Sequence, residues 1–180
     1  MMKKRLQLIF CVETNQKSDT DFIYIKNAVD RFYDYKNGNI QLTPVYLGGK
    51  GKYSSSGITR QINKKINQFK AASSHGESYV FFCFDCDRYD SNSADQQFLL
   101  DAEKYCLSNP IYHFVWFCRD IEDVFLGHQI NNNLKVTEAE RFAAKKLIEQ
   151  VHIDRLTAKQ YKLHHSNICL VLNRYLPRKK

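Results

Sequence analysis

The chain has 180 residues, of which 43% are hydrophobic, and a formal net charge of +8. This length and composition suit one domain with a sizeable core. No apolar run approaches the roughly 18 residues of a membrane span, and the short apolar stretch after the basic first residues leads straight into Glu13, which argues against a cleavable leader. We therefore expect a cytoplasmic protein without membrane contact, and the six cysteines, which stand singly within apolar segments or in one CxxC, fit that compartment.

The positive charge favours a polyanionic partner such as nucleic acid. The basic residues are scattered, with local concentrations at residues 1–5, 60–70, 145–146 and 174–180. Such concentrations are also typical of solvated helix faces and tails, so the charge alone does not establish a nucleic-acid surface.

Apolar runs and helical patterns alternate along the chain. The first predicted helix begins at a cap among residues 18–20 and ends at Asn37-Gly38-Asn39, and residues 48–52 are predicted to form a flexible basic loop. Pro44 places its strand near a sheet edge, because proline cannot donate a ladder hydrogen bond. The predicted strands are residues 6–12, 40–47, 79–84 and 111–118; the later predicted helices begin at residue 58, run through 98–106, begin again at 121, and cover 136–151 and 156–176.

This alternation predicts an α/β fold with a mainly parallel four-stranded sheet flanked by helices. Residues 1–130 would form this α/β domain, and residues 131–180 a helical extension packed on the same domain. In such sheets ligands bind beyond the carboxyl ends of the strands. The residues that follow the strands are therefore the first candidates for a site.

Two carboxylates one residue apart, Asp85 and Asp87, follow the third predicted strand. Side chains alternate along a strand, so we expect both to leave its end on the same side. Two such acids repel each other, and a hard cation such as Mg²⁺ would remove the repulsion. The alternative is that one acid caps the next helix while the other is solvated. Cys83 and Cys86 form a CxxC around the same strand end, but they are expected to face opposite sides and to serve the core.

Acids also follow two other predicted strands, because Glu13 ends the first and Glu122 follows the fourth. Carboxyl ends of parallel strands meet at one edge of a sheet, so these acids are expected to converge on the Asp85 pair. For Glu122 an ordinary role remains open, since an acid at a helix N-terminus also complements the helix dipole.

These residues resemble the TOPRIM domains of topoisomerases, primases and OLD-like nucleases, which have a glutamate after the first strand and a DxD after the third. The likeness is greatest to the RloB-like branch found in bacterial defence loci. Residues 20–25, which include Asp21, resemble the helix start of that branch, and residues 121–128 resemble its Phe-Glu-x-Trp-Leu-Leu-x-His segment, with Glu122 and His128 at the matching positions. The resemblance spans roughly residues 6–130. One departure is Thr14, which stands where the family usually has glycine.

The resemblance implies metal-dependent hydrolysis of a phosphodiester. It implies Mg²⁺ or Mn²⁺ held by Glu13, Asp85 and Asp87, with Glu122 for a second metal ion and with Asp21 and His128 as further site candidates. The alternative for His128 is an ordinary helix residue. The candidates for nucleic-acid contacts are Lys50, Lys52, Arg88 and Arg119, although pairing with neighbouring carboxylates is an equal alternative for the two arginines.

Two functions follow as hypotheses. The first is a Mg²⁺-dependent nuclease that acts on DNA or RNA in anti-phage or anti-plasmid defence and is switched on by a sensor or ATPase partner protein. Whether this nuclease forms a homodimer is left open. The second is a catalytically weak TOPRIM module that binds nucleic acid or a partner protein in a defence or regulatory complex.

Overall fold

A computed structural model describes residues 5–35, 38–73 and 75–179 of the chain. Four strands form one sheet in the order β2-β1-β3-β4, and all neighbouring strands are parallel. The strands are β1 (Leu6–Val12), β2 (Ile40–Tyr46), β3 (Glu77–Asp85) and β4 (Tyr112–Phe117); the helices are α1 (Thr20–Phe32), α2 (Ser56–Ala72), α3 (Ser93–Leu107), α4 (Ile121–Leu126), α5 (Lys135–Ala144) and α6 (Ile168–Leu172). This confirms the predicted α/β class with a four-stranded parallel sheet.

Helices cover both faces of the sheet, which explains why its central strands are almost entirely apolar. Phe81 and Cys83 of β3 pack in one core layer with α1, α4, α5 and α6, whereas Phe82 and Phe84 pack in the other layer with α2 and α3. Cys86 belongs to this second layer, so the two cysteines of the CxxC face opposite sides, as predicted. The edge position of β2, which contains Pro44, is also confirmed.

The first helix is shorter than predicted. It ends at Phe32, because Tyr33 is extended (φ −127°) and forms an antiparallel bridge with Arg178 near the end of the chain. Of the predicted end signal, Asn37 lies outside the described residues, and Gly38 has the left-handed φ of +78° that favours glycine in a turn. A tertiary pairing with the C-terminal segment therefore ends α1 before its local stop signal.

The extension after residue 130 is less helical than predicted. The predicted helix 136–151 ends at Ala144, because the next turn is broken by Lys146 at φ +51°, and a 3₁₀ turn follows. The predicted helix 156–176 is wrong apart from the short α6. Its first half instead pairs with the backbone at the end of β4, where Cys118 N donates to the carbonyl of His165 (3.0 Å). The polar groups at this sheet edge compete with the helix for hydrogen bonds.

The side chain of Asn167 forms hydrogen bonds with backbone groups at the edge of β4. Its Oδ1 accepts from Trp116 N (2.9 Å), and its Nδ2 donates to the carbonyl of Phe114 (3.1 Å). Asn167→Ala leaves both backbone groups without a partner, so we expect the free energy of unfolding to fall by about 2 kcal/mol in urea denaturation. Asn131→Ala is the control, because Asn131 is exposed and a change there should stay within about 0.5 kcal/mol. Equal stability of the two variants would contradict this role of Asn167.

The C-terminal segment contributes to the same core as the sheet. Phe142 of α5 lies against Tyr24 of α1 (ring centroids 4.8 Å apart) and against Phe125 of α4 (5.8 Å). Residues 131–180 and the sheet domain therefore both contribute to the fold that carries the site.

No helix in the described ranges is long and apolar enough to cross a membrane.

Candidate functional site

The order of the sheet creates a crevice between β1 and β3. The chain passes from β1 to β2 on one side of β1 and places β3 on the other, so their carboxyl ends flank a topological switch point. Glu13 directly follows β1, and Asp85 is the last residue of β3. Glu13 Oε1 accepts a hydrogen bond from Asp85 N (2.9 Å). The structure thus joins the two predicted acids across the crevice.

The N-terminus of α4 lies next to Asp85, on the side of β4. Ile121 N donates to Asp85 Oδ1 (3.0 Å), and Asp120 caps the helix by accepting from Asp123 N (2.8 Å). Glu122, in the first turn of α4, is fully buried. From the opposite side, the buried Asp21 in the first turn of α1 accepts from Thr14 N (3.2 Å).

Five carboxylates therefore surround the switch point and interact electrostatically with one another. We call this group the acid cluster; it consists of Glu13, Asp21, Asp85, Asp120 and Glu122. Three of its members, Glu13, Asp85 and Glu122, are acids that the strand-end pattern singled out. Asp21 was a candidate from the resemblance alone, and Asp120 was not recognised as a site residue, because its role depends on the position of α4.

Four members of the acid cluster, Glu13, Asp21, Asp85 and Glu122, have raised pKa values. Burial, opposed by the Asp85 N–H and reinforced by repulsion from Asp21 and Asp87, raises the pKa of Glu13 to about 8. Burial and repulsion from Glu13 hold the pKa of Asp85 well above its usual range. Burial also raises the pKa values of Asp21 and Glu122. Gathering so many acids is unfavourable when they are ionised, which is the condition that a bound cation relieves.

Asp87 does not continue the alternation of β3, which corrects the prediction that it leaves the strand as Asp85 does. The strand ends at Asp85, and Asp87 has a left-handed φ of +48°. Its backbone N–H donates to the carbonyl of Arg119 (2.8 Å), which is itself left-handed at φ +66°. Asp87 is half-exposed and lies at the rim of the acid cluster, where it repels Glu13.

The loop after β2, which we predicted to be flexible and basic, makes a backbone hydrogen bond to Glu13 and contains a short 3₁₀ turn. Gly49 N donates to the carbonyl of Glu13 (2.9 Å), and residues 50–52 form a 3₁₀ turn. Lys50 forms ion pairs with Asp87 and with Asp95 (3.1 Å). Lys52 is exposed. Of the two lysines predicted to contact nucleic acid, Lys50 is thus held by carboxylates.

Arg88 and Arg119, the predicted arginine contacts, line one cavity with Asp87. Its volume is about 380 Å³, and Asn92, Asp95 and Gln129 complete its lining. Arg119 also forms an ion pair with Asp90 (3.1 Å), so the alternative of carboxylate pairing applies to it as well. This cavity opens at the rim of the acid cluster, beside Asp87.

His128 lies away from the acid cluster, at the other end of α4. Its Nδ1 is 3.2 Å from the carbonyl oxygen of Leu126, and its side chain is exposed. It lines a different cavity of about 420 Å³ together with Arg141 and Arg155. The structure does not bring His128 together with the predicted acids.

Two further polar groups were missed by the sequence pattern. Asp123 is buried, and its Oδ2 lies 2.9 Å from Nδ1 of His164. We predicted that His164 and His165 share a helix, whereas His164 is left-handed at φ +62° in a loop. The two partners are separated by 41 positions, so no local spacing signals their contact.

The carboxylates of the acid cluster are the donor type that a hard divalent cation prefers, but their side chains are turned toward other partners. Within residues 5–35, 38–73 and 75–179, no group of three or more histidine, cysteine or acidic side chains is arranged to hold a metal ion. Glu13 and Asp85 each accept a backbone N–H, and Lys50 holds Asp87. Nevertheless, the buried Glu122 Oε1 has no hydrogen-bond partner in this part of the chain. Carboxylate oxygens are ligands that Mg²⁺ and Mn²⁺ prefer.

Comparison of the chain with protein-family models, with curated proteins and with solved structures found no match.

Proposed function

We propose that the chain is a metal-dependent nuclease of the TOPRIM type, similar to the RloB-like and OLD-like nucleases, that hydrolyses phosphodiester bonds of DNA or RNA. One observation carries the proposal. Glu13 and Asp85 meet across the switch point of a parallel sheet, with three more carboxylates around them. A fold gains no stability from such a concentration of buried acids, so a function that uses a cation accounts for it better than packing does.

The residues that would hold the cation are Glu13, Asp85 and Asp87. Bound Mg²⁺ or Mn²⁺ would polarise the phosphoryl oxygen and stabilise the charge that develops in the transition state. Asp85 is oriented by the hydrogen bond from Ile121 N to its Oδ1. Lys50 keeps the half-exposed Asp87 at the rim in the absence of a cation.

Alternatively, Glu13 acts as the general base that takes a proton from the attacking water, and Asp85 and Asp87 hold the cation. A base works best when its pKa is near the working pH, and in the cation-free protein burial among acids brings the pKa of Glu13 to about 8. The hydrogen bond from Asp85 N occupies Oε1 and orients the carboxylate toward the crevice.

The substrate backbone would be bound beside Asp87. Arg88 and Arg119 line the cavity at that position together with Asp87 and Asp95, and Lys52 is exposed in the loop after β2. The net charge of +8 favours a polyanion, and binding should weaken as salt increases. We assign Lys50 to positioning Asp87 in place of a direct phosphate contact. A sensor or ATPase partner would supply the activating signal in a defence system.

A second function is supported by the present orientation of the acids. Because Glu13, Asp85 and Asp87 are engaged by backbone N–H groups and by Lys50, a catalytically weak module that binds nucleic acid or a partner protein is the alternative. In that case Arg88, Arg119 and Lys52 would still contact the nucleic acid, and the acid cluster would not turn over substrate.

Asp85→Asn separates the two functions. The amide keeps an oxygen that accepts from Ile121 N, so the fold should persist, while cleavage of plasmid, single-stranded DNA or RNA with Mg²⁺ or Mn²⁺ should fall at least about 100-fold. The control Asp154→Asn changes an exposed acid and should retain the wild-type rate. Cleavage that survives EDTA or Asp85→Asn would contradict the nuclease proposal. Salt-sensitive binding without cleavage of any substrate would favour the second function.

A further inference from the structure

Lys135 places its ammonium group inside the acid cluster. It is the first residue of α5, and its Nζ lies 2.9 Å from Glu122 Oε2 and 3.7 Å from Asp120 Oδ2. Its charge also reaches Asp85 and Asp21. Three-quarters of the Lys135 side chain is buried, and Glu122 is fully buried. The ammonium is thus the positive group nearest to the half of the acid cluster that lies against α4.

This lysine is held as a cation at neutral pH. Although burial opposes its charge, the hydrogen bond and ion pair with Glu122 keep the pKa of Lys135 above its ordinary value. A buried carboxylate without a positive partner is strongly unfavourable, so the pair is stable only while the ammonium stays beside Glu122. The cluster therefore contains one permanent cation supplied by the chain itself.

We propose that Lys135 takes the place of a second divalent cation, so that the site binds one metal ion, on the side of Glu13 and Asp85. This inference rests on the proposed function. A divalent cation coordinated by Glu122 would lie within a few ångströms of the ammonium, and the repulsion between them in a buried site would exclude it. Glu122 is then the counter-ion of Lys135 and not a ligand for a second metal ion, which was its expected role from the resemblance.

The free oxygen of Glu122 makes the idea testable. Its Oε1 is buried and has no hydrogen-bond partner in the described part of the chain, whereas Oε2 is bound by Lys135. Lys135→Met retains the length and apolar stem of the side chain and removes the ammonium. Both oxygens of Glu122, with Asp120 beside them, would then be free to bind a cation.

The experiment counts Mn²⁺ bound per chain by equilibrium dialysis and electron paramagnetic resonance, with Asp85→Asn as the measure of adventitious binding. We expect one Mn²⁺ in the wild type and two in Lys135→Met. The control Lys145→Met changes an exposed lysine just after the same helix and should give one. Two ions in the wild type, or one in a folded Lys135→Met, would overturn the role of Lys135 and leave the nuclease proposal intact. No Mn²⁺ above the Asp85→Asn level in the wild type would overturn both.

A second variant keeps the test decisive if Lys135→Met does not fold. In Glu122→Gln the stoichiometry at saturating Mn²⁺ should remain one, because Glu122 is not a ligand of that ion. Loss of the bound ion in folded Glu122→Gln at saturating Mn²⁺ would assign Glu122 to the metal and contradict the inference. Far-ultraviolet circular dichroism of each variant establishes that the counted protein is folded.

Discussion

Replacing Glu13 by glutamine is expected to abolish metal-dependent cleavage and, in the same variant, to stabilise the metal-free protein at pH 8. The amide oxygen still accepts from Asp85 N, so the contact that joins β1 to β3 persists. The change removes either the charge that a metal ion needs or the base that accepts the proton, so we expect a loss of at least about 100-fold in rate. Initial rates with Mg²⁺ measure the first effect, and thermal unfolding in EDTA measures the second.

The direction of the stability effect follows from the raised pKa of Glu13. In the folded protein this pKa is about 8, whereas a glutamate in an unfolded chain titrates near 4.3. Between these values the folded state binds the proton and the unfolded state does not, so the free energy of unfolding of the wild type falls as pH rises. Glutamine cannot titrate, and the fall should be smaller in the variant.

The size of this effect is limited by the partial exposure of Glu13. We expect the variant to exceed the wild type by about 2 kcal/mol at pH 8, well below the full linkage value because of solvent screening, and to match it near pH 4. Glu140→Gln, which changes an exposed acid of α5, should show no such pH dependence. Mg²⁺ should raise the melting temperature of the wild type more than that of Glu13→Gln, because it binds the ionised carboxylate. A variant that is less stable than the wild type at pH 8 would contradict the electrostatic account.

The sheet was predictable from the sequence because its strands are marked by composition. Runs such as residues 79–84 are apolar on both faces, which is typical of parallel strands covered by helices, and Pro44 marked the edge strand. Once the strands were assigned, the convergence of Glu13 and Asp85 followed from the rule that parallel strands end at one edge. The location of the acid cluster therefore depended only on local patterns and one topological rule.

The partners of those acids were not predictable in the same way. Asp87 leaves the strand pattern because the backbone turns left-handed after Cys86, and no residue type at that position requires it. Lys135 and His164 reach Glu122 and Asp123 from a segment in which the predicted helix 136–151 was too long and the predicted helix 156–176 was wrong apart from α6. Their contacts depend on how α5 and the chain beside β4 pack, which local periodicity does not encode. The positive side chains that contact these acids could therefore be identified only from the tertiary structure.

Phe142→Ala is expected to lower the free energy of unfolding by about 3–5 kcal/mol, the usual cost of removing a fully buried aromatic ring. The ring is fully buried where α5 packs on α1 and α4, tilted against Tyr24 and edge-to-face with Phe125. Urea denaturation followed by circular dichroism measures the loss. Val136→Ala, on the same helix but 42% exposed, is the control and should cost less than about 1 kcal/mol.

The same variant connects the core to the site. Phe142 fixes α5 two turns after Lys135, and Lys135 is the residue that places a positive charge beside Glu122. If residues 131–180 are part of one cooperative core, Phe142→Ala should give a single unfolding transition at lower urea concentration, with sheet and helix signals lost together. Two separate transitions would show that the sheet is stable without α5. The sheet and its acid cluster would then be folded in a state in which Lys135 is no longer held against Glu122. In that case the charge balance that we assign to Lys135 would not be a fixed property of the site.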